Sequence, residues 1–205
     1  MNTSMYDHIR TIVPDERILF HEPMSKYTTF RVGGVAESIV IVQSEEELVK
    51  LITYLNQIEQ EYFVLGNGSN LLVGDKGYRG VIVKMGGPME EVYVEGTRIT
   101  VKAGALLSKV AAAARTNSLS GMEFAAGIPG SVGGAIVMNA GAYDGEMKQI
   151  VESVRVMDRD GQIMTLDNDT MEFGYRTSII KNRPFIVLEV TLQLTAGDAD
   201  CIGAR

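Results

Sequence analysis

The sequence predicts an α+β chain folded as two lobes. Three observations carry that expectation. A strand–helix–strand pattern spans Glu37 to Leu65, the chain is broken at Gly86-Gly87-Pro88, and short strand-like runs outnumber helical stretches after the break. The expected lobes are residues 1–85 and 86–195, with 196–205 opening a further region.

The elements follow in order. Met5 to Val13 is helix-like and ends at Pro14, and the paired Gly33-Gly34 mark a turn. Glu37 to Gln43 (ESIVIVQ) is a β-branched strand. Ser44 then offers an N-cap, and Glu45, Glu46 and Glu47 place carboxylates at the positive end of the helix dipole. Leu48, Leu51, Ile52 and Leu55 follow at helical spacing. Glu61 to Leu65 closes a βαβ unit whose second strand should run parallel to the first. Gly80 to Lys84 is another strand. Beyond the break, Glu91 to Glu95 and Arg98 to Ala103 read as strands joined by a Gly96-Thr97 turn. Leu106 to Arg115 reads as a helix buried along Leu107, Val110, Ala111 and Ala114. Ile150 to Asp158 and Gln162 to Leu166 form a hairpin, and Pro184 to Leu194 is the last strand.

Composition narrows the partners. A net charge of −7 over 205 residues argues against nucleic acid or an anionic membrane surface, yet permits a phosphorylated ligand held by local donors. The single cysteine, Cys201, makes neither an internal disulfide nor a cysteine-rich metal site, and a reducing, cytoplasmic compartment is the simpler expectation. No metal site is expected, because no His, Cys, Asp and Glu cluster has ligand spacing. Asp7, Arg10, Asp15 and Glu16 interrupt the N-terminal stretch, so neither a signal peptide nor a membrane-spanning helix is expected.

Two glycine-rich loops stand out. Gly66, Asn67, Gly68, Ser69 and Asn70 follow a strand directly, and in open α/β sheets that edge receives ligands. The loop is neither a dinucleotide fingerprint nor a P-loop. It reads either as an anion-binding loop or as a hairpin-like turn at Asn67-Gly68. The second stretch, Glu123 to Asp144, carries Gly127, Pro129, Gly130, Gly133, Gly134 and Gly141 among many alanines. Its glycines let another molecule lie against the backbone, or serve tight internal packing. Ser131 can cap a short helix whose free N–H groups would favour an anion.

Catalytic groups are sparse. His8 and His21 both lie near the N-terminus, far from any nucleophile signature, which argues against a hydrolytic triad. Arg176, in FGYRTS, could hold a carboxylate bidentately or sit in a surface ion pair. These features suit a chain that grips a large phosphate-bearing cofactor between two lobes and leaves the hard chemistry to it.

The motifs in combination are more specific. LGNGSNLLV at 65–73, GIPGSVGGAIVMNAGAY at 127–143 and FGYRTS at 173–178 occur in that order, preceded by SKYTTFRVGG at 25–34. The chain resembles the UDP-N-acetylenolpyruvoylglucosamine reductase family from about Ser25 to Leu194. The resemblance implies the two-lobed FAD-binding fold of the vanillyl-alcohol-oxidase/PCMH type. It implies non-covalent FAD, with NADPH as electron donor, and reduction of UDP-N-acetylglucosamine enolpyruvate to UDP-N-acetylmuramate in peptidoglycan precursor synthesis. By the same resemblance, Gly66, Asn67, Gly68, Ser69 and Asn70 hold the FAD pyrophosphate. Gly127, Gly130, Ser131, Gly133, Gly134 and Asn139 line the flavin. Arg176 matches the catalytic arginine that steadies the substrate carboxylate, and Tyr175 helps shape the substrate pocket. The family also has a C-terminal substrate-binding domain with a proton-donating serine and a glutamate. The expectation is therefore a chain that binds FAD but does not complete turnover alone, and Ser178 does not match that serine's motif. The competing readings are another flavin oxidoreductase of the same fold, or a non-catalytic FAD- or nucleotide-binding module.

Overall fold

The computed structural model describes residues 3–197, so Cys201 and the 198–205 part of the expected further region lie outside the described residues. The chain divides into two compact units. Unit 1 comprises Met1–Met89 with Arg159–Gly161, and unit 2 comprises Glu90–Asp158 with Gln162–Arg205.

Unit 1 opens with helix α1 (Thr3–Ile9), shorter than the Met5 to Val13 expectation because Arg10 to Val13 turn back onto its last carbonyls. Strand β1 (Ile18–Pro23) then pairs antiparallel with β2 (Val35–Val42). This first strand was not anticipated. His21 has φ 54° inside it, which breaks the alternation of ILFHEP, so pairing with β2 rather than local preference fixes the strand.

Helix α2 (Glu45–Gln57) forms as expected. The Ser44 hydroxyl accepts the Glu47 N–H, and Leu48, Leu51, Ile52 and Leu55 are fully buried. Thirteen residues make an isolated helix marginal in water, so that apolar stripe, at about 1.5–3 kcal/mol per side chain, stabilises it. Strands β3 (Tyr62–Leu65) and β4 (Tyr78–Met85) complete the sheet in the order β1-β2-β4-β3. β2 and β3 both run parallel to β4. The βαβ pair is thus parallel as expected, with β4 inserted between its strands. Met24, Ala36, Ile39, Leu65 and Ile82 pack together as a core beside it.

Unit 2 begins with the hairpin β5 (Val92–Glu95) and β6 (Arg98–Lys102), turned at Gly96 with φ 58°. Helix α3 (Leu107–Thr116) buries Leu107, Val110 and Ala114, while Ala111 is half-buried at the margin of the stripe. The short β7 (Leu119–Ser120) follows, then helix α4 (Val132–Met138). A two-residue hairpin joins β8 (Gly141–Ala142) to β9 (Gly145–Glu146), with Tyr143 and Asp144 both at positive φ. Strands β10 (Val151–Met157) and β11 (Ile163–Asp167) form the expected hairpin. After helix α5 (Ile179–Asn182), β12 (Ile186–Gln193) enters the middle of an antiparallel sheet ordered β11-β10-β12-β6-β5. Pro184 to Leu194 was not the last strand, because β13 (Thr195–Ala196) follows and pairs with β7. Val101, Val154, Val190 and Leu192 are fully buried in this sheet. α4 packs on β12 and β6, which fixes where its two ends emerge.

Candidate functional site

In unit 1 the chain leaves β3 at Leu65 and enters the Gly66–Asn70 loop at the carboxyl edge of parallel strands. Because β3 and β4 run parallel, the hairpin reading of Asn67-Gly68 is excluded. The loop's carbonyls are tied inward. Lys84 Nζ donates to the Gly66 oxygen at 3.4 Å, the Thr29 N–H to the Gly68 oxygen at 3.2 Å, and the Thr29 hydroxyl more weakly to the Ser69 oxygen at 3.5 Å. In a planar trans peptide the C=O of one residue and the N–H of the next point in opposite directions. The N–H groups of Asn67, Ser69 and Asn70 are therefore aimed away from these anchors. Gly68 is buried with φ 64°, and a Cβ there would overlap the Tyr27 carbonyl oxygen. On the same Tyr27, burial pushes the phenol above its ordinary pKa, helped by the Glu22 carboxylate that its hydroxyl meets at 3.1 Å.

In unit 2 the start of α4 behaves differently from the expectation. The Ser131 hydroxyl accepts the Gly134 N–H at 3.4 Å, so the cap is present. The Val132 and Gly133 N–H groups, however, each donate at 2.8 Å to the carbonyls of Ala105 and Ala103. These amides bind protein rather than standing free for an anion. The reason is packing: a Cβ on Gly133 would sit 3.1 Å from that of Ala103, so its missing side chain admits the β6–α3 connection. Gly130 is buried and its carbonyl accepts the Leu107 N–H at 2.9 Å. Gly127 differs again. It is exposed, and a Cβ on it would meet nothing within 4 Å, so internal packing does not account for this glycine.

Asn139 caps the other end of α4 in the left-handed conformation, φ 42° and ψ 55°, and is 4% exposed. Its Oδ1 accepts the Lys148 N–H at 2.9 Å, and Nδ2 donates to Glu146 Oε2 at 3.0 Å and to the Gly174 carbonyl at 3.2 Å. Gly174 and Thr177 exchange backbone hydrogen bonds at 3.1 and 3.3 Å, so Tyr175 and Arg176 occupy the tip of a two-residue turn. Both are exposed, and Arg176 has φ 55°, a strained conformation for a side chain of that size. Ser178 is buried and donates to the Val137 carbonyl at 3.1 Å, anchoring the segment after the turn.

Sequence reasoning left Thr29, Lys84 and Glu146 without roles. The first two hold the Gly66–Asn70 loop and the third holds Asn139. Thr29 lay inside the quoted SKYTTFRVGG motif, whereas nothing local marks the other two. Among the described residues, no group of three or more His, Cys, Asp or Glu is placed to hold a metal, and no helix is long and apolar enough to cross a membrane.

Residues 36–167 match the FAD binding domain family, and the chain belongs to it. More narrowly, it is similar to UDP-N-acetylenolpyruvoylglucosamine reductases. It is 46% identical over 194 residues to that of Caldanaerobacter subterraneus subsp. tengcongensis, covering 95% of this chain and 64% of the relative. The crystal structure of the Thermus caldophilus reductase superposes with a TM-score of 0.79 at 36% identity, covering 92% of this chain and 65% of that one. Wild-type Phl p 4.0202, a glucose dehydrogenase, superposes with a TM-score of 0.70 at 14% identity, covering 96% of this chain and 44% of that one, and shows the fold alone. The α+β FAD-binding fold of the vanillyl-alcohol-oxidase/PCMH type is thus as expected. The chain spans 64–66% of the length of the first curated relatives it matches.

Proposed function

We propose that the chain is the FAD-binding portion of an enzyme that reduces UDP-N-acetylglucosamine enolpyruvate to UDP-N-acetylmuramate, with NADPH as electron donor. The observation that carries this reading is the Gly66–Asn70 loop at the carboxyl edge of parallel strands, where the Gly66, Gly68 and Ser69 carbonyls are tied to Lys84 and Thr29 and the peptide N–H groups paired with them point the other way. Gly66, Asn67, Gly68, Ser69 and Asn70 hold the FAD diphosphate through backbone N–H groups. The segment bearing Gly127, Gly130, Ser131, Gly133, Gly134 and Asn139 shapes the flavin site, Gly127 supplying open backbone. Neither segment contains a histidine or cysteine, which supports non-covalent binding. When bound, FAD supplies hydride transfer. Arg176 pairs bidentately with the substrate carboxylate and Tyr175 shapes the pocket beside it. The setting is cytoplasmic peptidoglycan precursor synthesis, which serves cell wall biogenesis, cell shape and cell division. No role for nucleic acid or membrane enters the reading.

The test is FAD binding by this chain. The purified protein should carry or take up FAD, with absorption bands near about 370 and 450 nm and flavin released on denaturation. A colourless protein that ignores added FAD overturns the proposal.

A further inference from the structure

Asn139 lies where three segments of unit 2 meet. Its backbone ends α4, its carboxamide oxygen accepts from Lys148 beyond β9, and its two amide hydrogens are divided between Glu146 and the Gly174 carbonyl. At 4% exposure, the side chain has its donors and acceptor used within the protein. The far side of the arginine turn is held from the same helix, because Ser178 Oγ donates to the Val137 carbonyl. Both flanks of Gly174–Thr177 are therefore bolted to the C-terminal end of α4, while Tyr175 and Arg176 project at the tip.

We infer that Asn139 is a positioning residue that fixes the Tyr175–Arg176 turn. The inference rests on the reading of Arg176 as the carboxylate-binding group. The residue type follows from the geometry. The position needs a left-handed backbone, which asparagine tolerates, and one side chain able to donate twice and accept once. Aspartate would set a second carboxylate against Glu146, and glycine would keep the backbone but lose all three bonds. A turn held at a strained φ persists only when its surroundings over-determine it, and Asn139 is one of the two bolts that do so.

Hydrogen exchange on the full chain tests this. In Asn139→Gly, protection of the Gly174 and Thr177 amides should fall at least tenfold, while β12 amides change less than twofold. In Asn139→Asp, the introduced carboxylate can still accept the Lys148 N–H but cannot donate, so at pH 7 protection of the turn should fall as in Asn139→Gly while that of the Lys148 amide is kept. A residue serving only as the helix cap would leave the turn amides unchanged. Unchanged protection at the turn in both variants overturns the inference, as does weakened FAD binding with the turn unchanged. If Asn139→Gly unfolds, the contrast between the turn and Lys148 amides in Asn139→Asp still decides. FAD titration of the unsubstituted protein is a separate arm: failure there removes the flavin reading, and the exchange result continues to decide what Asn139 holds.

Discussion

Gly68 and Tyr27 meet backbone to backbone, so closely that a side-chain carbon on Gly68 would overlap the Tyr27 carbonyl oxygen. The contact brings the 27–29 segment under the loop, where the Thr29 N–H takes the Gly68 carbonyl. Gly68→Ala adds both that clash and a left-handed alanine. It should lower stability by at least about 2 kcal/mol and weaken FAD binding at least tenfold. Urea unfolding and flavin fluorescence quenching measure the two effects, and values matching the unsubstituted protein would refute the close packing.

Arg176 is exposed at the tip of its turn. Arg176→Ala should leave FAD affinity within twofold. In a chain competent for turnover it should cut reduction of the UDP-sugar by about 10²-fold or more, and Arg176→Lys should restore little of it because lysine lacks the planar fork. Loss of FAD binding in Arg176→Ala would overturn the carboxylate assignment.

Ser131 caps α4, and the neighbouring amides are already spent on Ala103 and Ala105. Ser131→Ala should cost about 1 kcal/mol in a denaturant melt. Its effect on FAD affinity should be smaller than that of Gly68→Ala, since no free helix-start amide is lost. The reverse ranking would restore the helix start as an anion site.

Arg17 forks onto Glu47 at 2.7 and 2.6 Å, joining the segment before β1 to the first turn of α2. The guanidinium holds the Glu47 carboxyl below the ordinary glutamate range, against an opposing push from partial burial. A carboxyl lowered by folding stabilises the native state above its ordinary value, near 4.5, and that contribution disappears as pH falls from there through the lowered value. The unsubstituted protein should therefore lose more stability than Glu47→Gln between about pH 5 and pH 3. Parallel acid limbs in a pH series of urea midpoints would rule the pair out as a contributor.

Much of this was legible where local chemistry and tertiary structure agree. Ser44 followed by three glutamates and a leucine stripe specifies α2 almost alone, and the flanking turns specify the β10–β11 hairpin. β1 was illegible because ILFHEP has no clean alternation and becomes a strand only against β2. The Gly66–Asn70 loop could be placed at a strand edge, but the direction of its amides depends on Thr29, thirty-seven positions before Gly66 and tied by a bond that no periodicity encodes. The start of α4 misled for a related reason. Glycines there suggested free donors, yet Gly133 is small so that the Ala103–Ala105 connection can approach, Ala103 accepting the Gly133 N–H and Ala105 that of Val132.

The strand order β1-β2-β4-β3 also bears on how unit 1 is assembled. β3 finds its ladder partner in β4, which is synthesised thirteen residues after Leu65, so strand, helix and strand cannot close into a sheet by themselves. A nascent chain released through Leu65 carries β3 as an unpaired edge, a template for unwanted association. The edge that carries the Gly66–Asn70 loop is completed only when Tyr78–Met85 threads between β2 and β3, so it cannot be whole before Met85 has been added to the chain.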